Sequence, residues 1–436
     1  MKPDLSTLPR ELRDKIVTPE DRRYGMLRST YVKVSRPAAV LVPETTEEVV
    51  AALRFVRERG LPLAVRSGGH GLSGRASNDG GLVIDLSAMN GIEVLDRRTR
   101  TVRIQAGARW AQVAAALAPY GLAISSGDHG NVGAGGLATG GGIGWMVRQY
   151  GLTIDHIRAV EMVLADGRVV RADEHNEPDL FWAVRGAGAR AGILVAFEIE
   201  AMELRNVGYV QIVVEVDRDG RTLRRWADLM ASAPRELTTA TMLMPYGNSL
   251  AFSIAAVVAS ESPRRIRAAV EPLLGLGVNL LDQSAQIIPY PALVSTAHLH
   301  ANVGQQPVVT TSGFLPTMTD EDAAAITRAA VGPHRPLIQL RSMGGAVSDV
   351  PPDVTAFAHR RHGALLIGNM FPPGGAKALD AAWRGLALRV EGEYVGFESR
   401  PGRQAFARVY PGAVGERVSE VWRRYDPDGV FGAFWA

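Results

Sequence analysis

A chain of 436 residues is too long for one ordinary hydrophobic core, so two domains or one large composite unit are expected. Hydrophobic residues make up 46% and charged residues 21%, the balance of a soluble globular protein, and a net charge of +3 with no block of about five basic residues excludes a nucleic-acid footprint. The absence of cysteine excludes disulfides, thiolate metal sites and a thiol nucleophile.

The sequence pI of 9.2 sits oddly beside so small a charge. Its cause is four Lys against 44 Arg: few groups titrate just above neutrality, so a slight positive balance persists. The first 23 residues alternate charges and prolines without an apolar signal region, and no run of about 18 apolar residues follows. A cytoplasmic protein with no membrane partner is the expectation.

Residues 1–36 are polar and are expected to wrap a surface before the first strand, at 38–42. Thr45-Thr46-Glu47-Glu48 reads as a capping box, the Thr45 hydroxyl and Glu48 carboxylate satisfying amides in return. Val49, Val50, Leu53 and Val56 continue at helical spacing, which predicts a β-α-β opening. It delivers the chain to a strand at 63–65 and then to a loop in which Gly68, Gly69, Gly71 and Gly74 surround His70. A second strand follows at 82–86. Glycines at this density let the backbone approach a ligand and form a concave anion site, for which a diphosphate is a natural guest. Glycine count alone is equally compatible with a plain turn.

A hairpin is expected at 92–95 and 102–105, and an Ala-rich amphipathic helix at 110–117. Seven of the twelve residues from 133 to 144 are then Gly, and this stretch reads as a loop feeding a helix at 145–150 whose positive N-terminal end could face an anion. Gly133-Ala134-Gly135-Gly136-Leu137-Ala138 fits a dinucleotide fingerprint, with Asp155 at the spacing of its acidic partner. Context argues against that reading: the motif follows Ser-Gly-Asp-His-Gly-Asn instead of a buried apolar strand.

Asp166-Gly167 turns a hairpin over 159–172, residues 177–186 form a short helix ending in glycine, and 192–195 is a strand. From about 207 to 388 strands at 212–216, 240–244 and 251–256 alternate with helices at 221–231 and 264–274. His298-Leu299-His300 could place two imidazoles on one strand face, but no third ligand is near in sequence, and no metal site is assigned. His359-Arg360-Arg361-His362 reads as a charge run, usually a solvated face. Neither a Walker A motif nor GxSxG occurs, which removes phosphoryl transfer and the usual serine-hydrolase elbow.

Arg66-Ser67-Gly68-Gly69-His70-Gly71, with Asn78-Asp79-Gly80-Gly81 and Asp85-Leu86-Ser87, resembles the FAD loop of the vanillyl-alcohol-oxidase superfamily, in its berberine-bridge-enzyme-like branch. Gly127-Asp128-His129-Gly130-Asn131-Val132-Gly133 is similar to the second FAD segment of that family. With His129 where bicovalent members carry cysteine, it looks most like the 6-hydroxy-D-nicotine oxidase type, which holds FAD through one histidine. Tyr150-Gly151-Leu152 and Asp155 match too, and Tyr425-Asp426-Pro427-Asp428-Gly429-Val430-Phe431 resembles the closing motif. Departures are visible at Ala189, Arg190, Ala191, His156, Gly415 and Phe434, the last standing where relatives carry an Asn.

The resemblance implies an α+β fold: a two-lobed FAD-binding domain of the PCMH type from 1–205, completed by 389–436, and a substrate domain at 206–388 of antiparallel sheet covered by helices. It implies FAD bonded covalently to His70 and contacted by Arg66, Ser67, Gly68, Gly69, Gly71 and Gly74. The second segment would add Asp128, Val132, Gly133, Gly136, Gly140, Gly142 and Gly144, with Gly192 and Leu194 near the adenine. His129 and then Tyr150 are the candidate catalytic side chains, His129 because an imidazole titrates near neutrality. The activity implied is an oxidase moving hydride from a small amine or hydroxylated natural product to flavin, with O2 as acceptor. A flavin-dependent oxygenase or rearrangement enzyme of secondary metabolism, and a flavin-fold small-molecule binder without turnover, stay open as alternatives.

Overall fold

The apolar spacing of the first hundred residues builds the expected β-α-β opening. Ala39–Leu41 (β1) leads into Thr46–Glu58 (α1) and then Leu63–Arg66 (β2), and both strands run parallel to Leu82–Asp85 (β3), which lies between them. The short strand Ile16–Val17 adds to β1 antiparallel, so the first 36 residues already contribute a strand where only a surface wrap was expected. Thr45 caps α1 by accepting the Glu48 amide at 3.2 Å, while the Glu48 carboxylate accepts from the Glu44 amide at 2.6 Å. The reciprocal arm of the box thus lands one residue early.

A second sheet is antiparallel throughout. Ile92–Asp96 (β4), Thr101–Gln105 (β5), Ile157–Val163 (β6), Val169–Asp173 (β7) and Ile193–Glu200 (β8) are ordered β4-β5-β8-β6-β7. Between β5 and β6 run Trp110–Leu117 (α2), as expected, and Ala134–Gly140 (α3), which lies inside the second glycine stretch. The helix expected beyond Gly144 is a single turn, Val147–Tyr150. The reason is tertiary: Ala134 and Ala138 are fully buried in the core, and that burial outweighs the poor helix propensity of their glycine neighbours. Pro178–Ala187 (α4) follows β7 and breaks at Arg185 and Gly186.

A seven-stranded antiparallel sheet makes up the middle of the chain. Its strands are Asn206–Val216 (β9), Leu237–Tyr246 (β10), Ser249–Val258 (β11), Leu280–Pro289 (β12), Val309–Leu315 (β13), Leu337–Ser342 (β14) and Ala364–Met370 (β15). Their order is β12-β9-β11-β10-β14-β15-β13. Arg221–Ser232 (α5), Pro263–Leu274 (α6), Asp320–Val331 (α7) and Ala376–Trp383 (α8) cover one face. That face is apolar, with Ile212, Phe252, Ile254, Ile338 and Leu340 packed on Trp226, Leu273 and Ile326. Burying a side chain as large as Phe252 is worth roughly 2 kcal/mol. Alternation puts Gln211, Ser253, Ala240, Met242, Gln339 and Arg341 on the opposite face, which no helix of this group covers.

Arg403–Val409 (α9) and Gly412–Tyr425 (α10) return to pack on α4, Trp422 Nε1 donating to the Ala187 carbonyl at 3.0 Å and Tyr410 to Gly186 at 3.1 Å. Asp426 then accepts from the Val430 and Phe431 amides at 2.7 and 3.1 Å, closing the turn read from the sequence motif. Residues 356–361 are irregular, and His359 and Arg360 are buried there, Arg360 paired with Asp155, so the charge run is not a solvated face. The computed structural model describes residue 5 and residues 7–294, 303–400 and 402–431. His298, Leu299, His300 and Phe434 lie outside the described residues. Among those described, no helix is long and apolar enough to cross a membrane.

Candidate active site

The two glycine segments are fastened to each other at one point. As β2 ends, the Ser67 hydroxyl donates to the Ala106 carbonyl at 2.6 Å. The other segment is fixed on the first turn of α2, where the amides of Trp110 and Ala111 donate to the carbonyls of Val132 and Gly130 at 3.1 and 2.9 Å. A Cβ placed on Gly68 would lie 2.2 Å from the Gly133 nitrogen, and one on Gly133 would lie 2.1 Å from the Gly68 nitrogen. Only glycine fits at either position. Arg109, at the start of α2, spans the join: its Nη1 donates to the carbonyls of Asn131 and, at 3.5 Å, Gly68. Partial burial holds this guanidinium below its ordinary pKa.

The remaining glycines divide by what surrounds them. Gly71 and Gly136 are exposed, and a Cβ on either would meet nothing within 4 Å, so each presents open backbone. Gly142 and Gly144 are packed internally: a Cβ would lie 2.0 Å from the Thr153 hydroxyl or 1.7 Å from the Ser126 carbonyl. Gly140 faces Val395, Gly74 faces Lys33, and Gly192 sits at φ +156° against the Val163 carbonyl. Gly69 offers its carbonyl to the Tyr31 amide at 2.9 Å. Leu194 is buried in β8 beside the bulge opposite β6.

Arg66 does not present its side chain to the loop. Its guanidinium is 3% exposed, bonds Asp85 at 2.7 Å and donates to the carbonyls of Ser29, at 3.1 Å, and Leu27. The sequence placed it beside the glycines; the structure turns it inward as a strut for the N-terminal segment.

His70 and His129 are brought together. Their ring centroids are 5.3 Å apart at a tilt of 41°, and Tyr31 stacks on the outer face of His70 at 4.5 Å and 15°. The His129 Nδ1 accepts the Asn131 amide at 3.2 Å, which fixes the neutral tautomer with its proton on Nε2. The preceding Asp128 carboxylate pairs with Arg341 of β14 at 2.5 Å, tying the histidine loop to the open face of the seven-stranded sheet. Tyr150 is not brought to this pair. Its ring packs in a separate apolar cluster with Val207, Tyr209 and Tyr290, and it lines a concavity of about 510 Å3 with Tyr120 and Arg205. A further concavity, of about 710 Å3, lies between α7 and α8, and neither His70 nor His129 lines it.

Tyr31, Arg109 and Arg341 were not foreseen. Only Arg341 left a trace, since the alternation of β14 puts it opposite Leu340 and hence on the uncovered face. The assembled residues fit the group that the loop suggests. Open backbone at Gly71 and Gly136, on two loops fastened together at Gly68 and Gly133 beside the Arg109 guanidinium, suits a diphosphate, and the His70 imidazole lies in the first of those loops.

Residues 37–173, which contain both glycine segments, match the family described as FAD binding domain. The chain carries an FAD-binding domain. Over nearly its full length this FAD-binding protein is similar to the uncharacterized FAD-linked oxidoreductase YgaK of Bacillus subtilis (strain 168), with 28% identity over 97% of this chain and 96% of the relative. It is 34% identical to (R)-6-hydroxynicotine oxidase of Paenarthrobacter nicotinovorans over 45% of this chain and 43% of that protein. Among solved structures, BBE-like 1 of Physcomitrella patens superposes with a TM-score of 0.88 at 20% identity, covering 98% of both chains, which shows a shared fold.

Proposed function

We propose that this FAD-dependent oxidoreductase is an oxidase of a small organic molecule, an amine or a hydroxylated natural product, with FAD bonded covalently to His70 and O2 as electron acceptor. The observation that carries the reading is the pairing of His70 with His129 at the open edge of two fastened glycine segments. The (R)-6-hydroxynicotine oxidase relative supports it. When bound, FAD supplies the acceptor for a hydride leaving a substrate C–H bond.

The chain's own residues then divide the work. Gly71 and Gly136 supply open backbone for the diphosphate, the Gly68–Gly133 contact fixes the spacing of their two loops, and Arg109 adds positive charge behind it. Tyr31 holds the plane of the His70 ring by stacking. His129 serves as a hydrogen-bond donor through Nε2, because its Nδ1 already accepts a backbone amide. The uncovered face of the seven-stranded sheet, joined to the His129 loop through Asp128 and Arg341, is the proposed floor of the substrate cavity.

Anaerobic addition of a panel of amines and hydroxylated compounds tests this. One class is expected to bleach the visible flavin band, and air to restore it with release of equimolar hydrogen peroxide. Bleaching by none of them contradicts turnover, and oxygen from labelled O2 entering the product would replace the oxidase by an oxygenase.

A further inference from the structure

Four arginines are buried among the described residues: Arg66, Arg148, Arg341 and Arg360. Three are saturated. Arg66 bonds Asp85 and the carbonyls of Ser29 and Leu27. Arg148 donates to the carbonyls of Leu237, Met343 and Ala233. Arg360 grips both oxygens of Asp155, at 2.9 and 2.8 Å, and adds Thr355 and Phe357. Arg341 is the exception: it reaches one polar partner, Asp128, through Nη2 alone, and its Nε is buried without a hydrogen-bond partner. A buried guanidinium N–H left unmet is costly unless another group supplies the acceptor.

The side chains beside it on the sheet are small. Arg341 stands directly opposite Ala240 of β10, which stands opposite Ala255 of β11. Opposed residues of an antiparallel pair share a face, so two alanine methyls in a row flank the guanidinium on the uncovered side. Met242 and Gln339, opposed to each other, lie one row further along the same face, and the Phe397 ring lies 4.9 Å from the Arg341 guanidinium carbon. The charge at this end of β14 is also unbalanced. Arg148, whose side-chain bonds go to carbonyls only, reaches Met343, next but one to Arg341, and Asp128 offsets just one of the two guanidinium charges.

We infer that Arg341 is the specificity-determining residue of the site: its Nε–H and adjacent Nη–H form a fork that binds a carboxylate carried by the substrate, seated over Ala240 and Ala255. A planar guanidinium engages a carboxylate through two parallel bonds, which a hydroxyl cannot reproduce. The inference rests on reading the uncovered sheet face as the substrate cavity of the flavoenzyme.

Benzoate, benzamide and benzyl alcohol differ only in their head groups, and each is titrated into the flavin-loaded enzyme while its visible spectrum is followed. Benzoate is expected to bind roughly tenfold or more tightly than either neutral probe. Arg341→Gln is expected to reduce that preference to about twofold or less. Because this variant also breaks the link to Asp128, Asp128→Asn is measured alongside; it weakens the same link, keeps the guanidinium, and is expected to keep the preference. Equal affinity for the three probes in the wild type, an undiminished preference in Arg341→Gln, or its loss in Asp128→Asn overturns the inference. If the purified protein carries no flavin, the oxidase reading fails by itself, and calorimetric titration of the same three probes still decides whether Arg341 anchors a carboxylate.

Discussion

Gly68 and Gly133 touch backbone to backbone, so closely that a side-chain carbon on either would fall within 2.2 Å of the other's amide nitrogen. This contact sets the spacing of both loops and of the two imidazoles they carry. Gly133→Ala is expected to cost about 2 kcal/mol or more in denaturant unfolding and to yield protein with little flavin. Gly136→Ala separates packing from ligand contact. With nothing within 4 Å of its Cβ, it should stabilise the flavin-free protein by about 0.5–1 kcal/mol while weakening FAD retention. Equal flavin content in Gly136→Ala and wild type would remove Gly136 from the cradle.

Arg109 reaches the carbonyls of Gly68 and Asn131 from the start of α2. Arg109→Met keeps the length and removes the donors. A loss of about 1–3 kcal/mol in stability and a clear fall in FAD affinity are expected, read by chemical unfolding and by fluorescence of released flavin. Unchanged affinity would make Arg109 a strut only.

Tyr31 lies flat on His70. In Tyr31→Ala the ring loses its stacking partner, worth about 1 kcal/mol, and covalent flavin incorporation should slow when flavin-free protein is incubated with FAD. Tyr31→Phe should restore the rate. A rate in Tyr31→Ala equal to that of the wild type would show that stacking has no part in orienting His70.

His359 is buried against Phe314, with centroids 4.7 Å apart, and donates Nε2–H to the carbonyls of Arg408 and Val409 at 3.0 and 3.2 Å. Burial, with the neighbouring His362 second, pushes its pKa down to about 4. The folded value lies below the unfolded one, so stability is full above the ordinary histidine range and is lost as pH falls toward 4. Unfolding free energy is expected to drop by roughly 3 kcal/mol across that interval, and less steeply in His359→Gln. Parallel curves for the two proteins would exclude His359 as the source.

Glu393 and Glu398 are both buried, and the Thr311 hydroxyl contacts a carboxyl oxygen of each, at 2.9 and 3.2 Å. One hydroxyl proton cannot serve both, and burial, with the Glu398 contact second, raises the Glu393 pKa. A raised folded value means stability present at low pH and lost as pH rises through it. Melting temperature should therefore decline as pH rises from the ordinary carboxylate range toward about 9, and the decline should flatten in Glu393→Gln. An identical slope in that variant would exclude Glu393 as the source.

The parts of the fold legible in the sequence are those where burial writes a period into the chain: the β-α-β opening, the α2 helix, the Asp166-Gly167 hairpin and the alternation of β9 to β11. The α3 helix was hidden because glycine propensity argues against it, and only the packing of Ala134 and Ala138 decides otherwise. Arg66 was read as facing the ligand because it adjoins the glycines. Its partner Asp85 stands opposite it in the register of β2 and β3, a pairing that adjacency in sequence does not reveal. Tyr31 and Arg109 reach the site across long sequence separations, so no local pattern marks them, and the alternation of β14 marks only the face on which Arg341 lies.

The claim on which the rest depends is that His70 holds the flavin covalently in the cleft between the glycine segments. Acid precipitation of the purified protein tests it directly. A yellow pellet from the wild type, and from His70→Ala a colourless pellet with any flavin left in the supernatant, is the predicted result; a yellow pellet from His70→Ala, or a colourless one from the wild type, would contradict it.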